Sequence, residues 1–221
     1  MLGRHGGGLR MLVSRKKQHG ISLIEILVGL SIGIIVAIAV LGIFTISIDG
    51  SQRILGTGKL ERDLNAIMDG IVADIQRTGY WSNATNSNTN PFYASGIDIT
   101  TNAAANCVTF SYDRNQDGAV SDSDKFGYRL GTDAIQFRPT GSTFDCSAAT
   151  NNWANLTDPN SIIITAFTTT LTTVSVNPSS GTDTTNYRTL TVTISGYLKN
   201  NSATTKTITR TIKVYNNKYS P

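Results

Sequence analysis

The chain has 221 residues, 39% hydrophobic and only 15% charged, which excludes a disordered polyelectrolyte and fits one domain with an appendage. Its net charge of +4 is local: Arg4, Arg10, Arg15, Lys16 and Lys17 stand in the first 20 positions, and the rest has 14 basic against 15 acidic groups, or −1. A distributed basic groove is excluded, so no nucleic-acid partner is expected.

From Ile26 to Ile48 there are 23 consecutive residues without a formal charge. As a helix this run covers a hydrocarbon core of roughly 30 Å, and it shows no polar stripe, as a buried globular helix would. It predicts a single membrane span. The cluster Arg15-Lys16-Lys17 precedes it, which predicts a cytoplasmic N-terminus and an exported remainder. The run is too long for an ordinary secretory signal and leads into further helix. One acid, Glu25, stands at its near end. A carboxylate there either reaches the headgroup layer or finds a charged partner.

The segment Gly20-Ile21-Ser22-Leu23-Ile24-Glu25, after a basic leader and before a long apolar helix, resembles the type III signal of type IV prepilins and pseudopilins. The resemblance implies cleavage after Gly20 by a prepilin peptidase and methylation of the new amine at Ile21. It also implies that Glu25 pairs with the N-terminal amine of a neighbouring subunit during assembly. Two isolated charges in lipid are each costly, and pairing them across subunits relieves both. Ile21 replaces the usual phenylalanine, and the 20-residue leader is longer than many.

Beyond the span, Leu60, Leu64, Ile67, Met68, Ile71, Val72 and Ile75 follow helical spacing and predict an apolar face lying on a sheet. Gly50, Gly56 and Gly58 predict a bend or a loosened turn between the two halves, and Gly79 predicts the helix end. Residues 21–78 would form a rod of about 85 Å. The expected organisation is a cleaved leader over 1–20, a transmembrane and assembly half-helix over 21–49, an amphipathic half over 50–80 and a β-rich head over 81–221.

After an Asn/Thr/Ser loop at 82–91, β-rich runs appear at Cys107–Tyr112, Phe126–Leu130, Ala134–Arg138, Ile162–Val176, Tyr187–Leu198 and Thr205–Tyr215. The last two alternate apolar residues with threonine around Asn200-Asn201, which predicts an antiparallel hairpin. The fold class is α+β and type IV pilin-like: a long N-terminal helix packed on an antiparallel sheet head.

Cys107 and Cys146 fall in the exported part, where a disulfide is expected. No C-x-x-C favours a redox pair, and two cysteines without nearby histidine do not complete a zinc shell. Both histidines, His5 and His19, lie in the leader; beyond it, histidine-dependent nucleophilic catalysis has no base, and no enzyme is expected.

Residues 113–124 match the spacing of a calcium loop: Asp113, Asn115, Asp117, the Ala119 carbonyl, Ser121 and Asp124 as oxygen donors, with Gly118 at the sixth place. The flanks read as strands rather than EF-hand helices, and an acidic turn bonding its own backbone explains the same residues. Ca²⁺ is the one candidate cofactor.

Asp74-Ile-Gln-Arg77-Thr-Gly79-Tyr80, Cys107-Val-Thr-Phe-Ser-Tyr112-Asp113, Phe126-Gly-Tyr-Arg-Leu130, Ala134-Ile-Gln136 and Trp153-Ala-Asn-Leu156-Thr-Asp158 resemble the PilW-like minor pilins. This implies a subunit that primes a type IV pilus and sits near its tip. Its partners would be other minor pilins, the major pilin, the prepilin peptidase, the inner-membrane assembly platform and a tip adhesin. It would reside in the bacterial inner membrane before assembly and in the extracellular pilus afterwards. Two alternatives remain: a J-type pseudopilin of a type II secretion system, and a membrane-anchored calcium-dependent binding module.

Overall fold

The structure, a computed structural model, describes residues 20–84, 89–141, 143–147, 151–177 and 183–220. Most of the leader, and four positions of the 82–91 loop, lie outside the described residues. The chain forms two compact units, one reaching Ser51 and one beginning at Gln52.

In the first unit, helix α1 (Leu23–Arg77) begins, and every large apolar side chain from Leu23 to Ile48 is exposed. A helix apolar on every side is suited to lipid or to a bundle of like helices, not to water. Helical hydrogen bonding continues without interruption through Gly50, Gly56 and Gly58, so the expected loosened turn does not occur. Each glycine lowers helix propensity by only about 1 kcal/mol, less than a helix of this length recovers by remaining cooperative. Ser51 and Thr57 also back-bond to the carbonyls of Ser47 and Arg53.

The second unit holds the rest of α1 and two antiparallel sheets. One has the order β1 (Thr100–Thr101), β2 (Cys107–Ser111), β3 (Lys125–Leu130), β4 (Ile135–Arg138) and β5 (Ala154–Asn155). The other joins β6 (Ile162–Val176), β7 (Thr184–Leu198) and β8 (Asn201–Lys213), with β9 (Lys218–Ser220) paired to β7. The β7–β8 hairpin turns at Lys199–Asn200, one residue before the expected centre. The predicted helical face is the floor of the core: Leu60, Leu64, Met68, Ile71 and Ile75 are fully buried. They share the core with Val108, Phe110, Phe126 and Tyr128 from the first sheet, Leu190, Val192, Ile194 and Ile212 from the second, and Val214 just beyond β8.

The helix stops where Gly79 adopts φ +74°, a conformation that a side chain would strain, and its amide donates to the Ser111 carbonyl. One turn earlier, the Tyr128 hydroxyl donates to Asp74 Oδ2 at 2.6 Å, tying helix to β3. Burial, then the bond to the Asp74 carboxylate, lifts the phenol pKa far above its ordinary value. A raised pKa stabilises the fold fully below the unfolded value of about 10 and loses that contribution as pH rises beyond it. Tyr128→Phe is expected to lower stability by about 1–3 kcal/mol and to remove this alkaline component, read from denaturant midpoints measured at neutral pH and above pH of about 10. An unchanged pH profile would refute the coupling.

Candidate functional site

Two segments carry the sequence-predicted chemistry, one in each unit. In the first, Gly20 and Ile21 are exposed and precede the helix. The Ser22 carbonyl accepts the amides of Glu25 (3.0 Å) and Ile26 (3.3 Å), which sets the first turn. A Cβ at Gly20 would meet nothing within 4 Å, so the chain's own packing does not demand glycine there. Glu25 lies in the first helical turn, where the helix dipole favours a negative charge. Among the described residues no cation pairs with it. The Gly20–Ile21 bond thus lies in non-helical chain just ahead of α1, and Glu25 stands in the first turn of that helix.

In the second unit, the acidic loop is closed by its own backbone. Asp113 Oδ2 accepts the Ser82 amide (3.0 Å), the Ser82 hydroxyl (2.6 Å) and the Gly118 amide (3.1 Å). Burial opposes ionisation of Asp113, but these donors outweigh it and hold its pKa below the ordinary carboxylate value. Asp124, fully buried, accepts the amides of Arg114 and Ser121 and bonds the Ser121 hydroxyl. Asn115 and Asp117 bond each other at 2.7 Å, and Asp117 accepts the Ala119 amide. Gly118 takes φ +77°, and a Cβ there would lie 1.9 Å from Asn83 Nδ2. Among the described residues no three His, Cys, Asp or Glu side chains gather into a metal group. The carboxylates of Asp113, Asp117 and Asp124 accept amides and hydroxyls, apart from Asp113 Oδ1, which is buried with no hydrogen-bond partner, and no step is routed through Ca²⁺.

Beside the loop lies a cavity of about 610 Å³ lined partly by Asp74, Arg77, Tyr112, Asp113, Arg114 and Phe126. Its two acids balance its two arginines, so its charge selects neither cation nor anion. Cys107 and Cys146 are joined in a disulfide, as expected. The sequence reading missed Ser82 as a partner of Asp113, because a hydroxyl 31 positions away carries no local signal.

Comparison with known families decides the assignment. Residues 53–214 match the family of prepilin peptidase-dependent protein B, and residues 15–41 match the prokaryotic N-terminal methylation motif. The chain belongs to the prepilin peptidase-dependent protein B family. No curated protein and no solved structure matches it. The family match spans most of the globular unit, and the methylation motif covers Gly20, Ile21 and Glu25. A prepilin peptidase-dependent protein with this motif, an exposed apolar helix and an antiparallel sheet head has a type IV pilin or pseudopilin role, in an assembly context. These two matches do not extend to the PilW-like resemblance.

Proposed function

We propose that the chain is a minor pilin of the PilW-like kind that primes type IV pilus assembly and sits at or near the filament tip. The carrying observation is Glu25, exposed and unpaired at the start of a helix that is apolar on all sides. A carboxylate in that setting is stabilised by a positive charge from outside the chain, and the amine released at Ile21 of an adjacent subunit supplies one. Peptidase cleavage after Gly20 makes that amine. Residues 1–20 act as the leader, 21–49 as the span and assembly surface, 50–80 as the amphipathic support and 81–221 as the head. Before assembly the chain spans the bacterial inner membrane once with its N-terminus in the cytoplasm. Its partners are the other minor pilins, the major pilin, the assembly platform and a tip adhesin.

Glu25→Ala is expected to leave cleavage and membrane insertion intact and to reduce recovery in sheared surface filaments by about tenfold or more, the factor expected when one charge is left unpaired in lipid. Mass spectrometry of the sheared fraction reads both results, since the mature N-terminus should be methylated Ile21. A variant that enters filaments at wild-type levels, or a mature chain still carrying the leader, would reject the proposal.

A further inference from the structure

Leu190, Val192 and Ile194 of β7 enter the core, so the residues between them face outward. Three strands align there in register. Thr170, Thr191 and Thr211 form one row, and Thr168, Thr193 and Thr209 form the next. Hydroxyls pair between β7 and β8 at 3.1 Å (Thr191–Thr211), 2.9 Å (Thr193–Thr209) and 2.8 Å (Ser195–Thr207). On β6, Thr168 and Thr170 are exposed, and among the described residues nothing bonds their hydroxyls. The array repeats about every 4.8 Å across the strands and about every 6.8 Å along them.

Towards the far end of the β6–β7 pair the same face turns aromatic and apolar. Val174 stands opposite Tyr187, and Thr185 is flanked by Val176 and by Tyr219 of β9. Tyr187 is 41% exposed and Tyr219 56%. The formal charges bordering this face are Lys213, opposite Thr189 at the end of β8, and Asp183, whose Oδ2 accepts the Tyr219 hydroxyl at 2.6 Å.

Charge chooses the occupant. A surface this poor in charge offers no complement to an anionic polymer or to a lipid headgroup. A protein partner would need an apolar, dehydrated centre, whereas here the centre is hydroxyl and the apolar part lies at one end. Hydroxyls that both donate and accept suit a ligand of the same kind, and exposed tyrosine rings offer flat faces beside them. We propose that this face binds a neutral polysaccharide, with the threonine rows bonding sugar hydroxyls and Tyr187 and Tyr219 stacking on the apolar faces of sugar rings. The proposal goes beyond the filament role and stands without it.

The test uses the full-length chain in detergent micelles, sedimented with microcrystalline cellulose or with chitin, and with an alginate gel as the anionic comparison. Retention is expected on at least one neutral polymer, persisting at high salt, and not on alginate. The double variant Tyr187→Ala/Tyr219→Ala, both positions being exposed, should weaken retention about tenfold while leaving the thermal midpoint unchanged. Thr191→Lys should weaken it independently. Glu25→Ala should bind as wild type, which separates this outcome from the fate of the filament proposal. Absence of retention on both neutral polymers, equal retention by the tyrosine variant, stronger binding to alginate, or self-association abolished by the same substitutions would each overturn it.

Discussion

Removing the disulfide with Cys107→Ala/Cys146→Ala is expected to lower the stability of the globular unit by about 2–5 kcal/mol. Cys107 opens β2 and is 1% exposed, while Cys146 lies on the connection between β4 and β5, 39 positions later. That connection contributes little apolar area to the core, so its covalent tether does much to limit the freedom of the unfolded chain. In the chain-entropy account a loop of about this length is worth roughly 3–4 kcal/mol. Denaturant unfolding of the full chain, with and without reductant, checks this: the wild type under reductant should fall to the midpoint of the double variant. Coincident midpoints under oxidising conditions would refute the structural role.

Arg138→Met is expected to cost a similar amount, about 3–5 kcal/mol, for a different reason. Arg138 is fully buried. Its Nε donates to Asn151 Oδ1 at 2.8 Å, its Nη2 to the carbonyl of Gly141 at 2.6 Å and to that of Thr143, and its Nη1 to the carbonyl of Lys125. Methionine keeps much of the stem but removes all four donated bonds, and an acceptor left buried or part-buried without its donor costs about 1–3 kcal/mol. Arg138→Lys should recover only part of the loss, because an ammonium cannot reproduce the planar fork. Since Arg138 and the disulfide restrain the same connection, the triple variant should lose less than the sum of the separate losses. Unfolding midpoints of the four members of that cycle read the coupling directly, and strict additivity would refute a shared restraint.

The comparison of sequence with structure divides along physical lines. Periodicity identified the buried helical face from Leu60 to Ile75, because helical spacing on an isolated element is a property of neighbouring residues. Alternation of threonine with apolar residues likewise found β7 and β8, and β-rich composition found β6. The two-residue strands β1 and β5 and the three-residue β9 were invisible, since they exist through pairing with β2, β4 and β7 and have no pattern of their own. The division of the strands into two sheets was equally hidden. So were the partly buried ion group of Arg188, Asp98 and Lys218 and the Tyr128–Asp74 bond, because their members meet across long stretches of chain.

The acidic loop shows the limit most clearly. Its spacing was legible, but spacing alone cannot tell whether a carboxylate turns to a cation or to an amide. Ser82 and the backbone amides of Arg114, Gly118 and Ser121 bond Asp113 Oδ2 and Asp124, while Asp113 Oδ1 is buried without a hydrogen-bond partner.

By itself, the order of residues determined the apolar run, the methylation-motif segment with Glu25, the amphipathic face and the α+β class, because each depends on hydrophobicity or charge within a few turns. Tertiary structure decided which strands became neighbours, which amides the acids of the loop meet, and that the outward residues of three strands came together as one hydroxyl face poor in charge. Those outcomes depend on register between distant segments, and register is set only when the shared core closes.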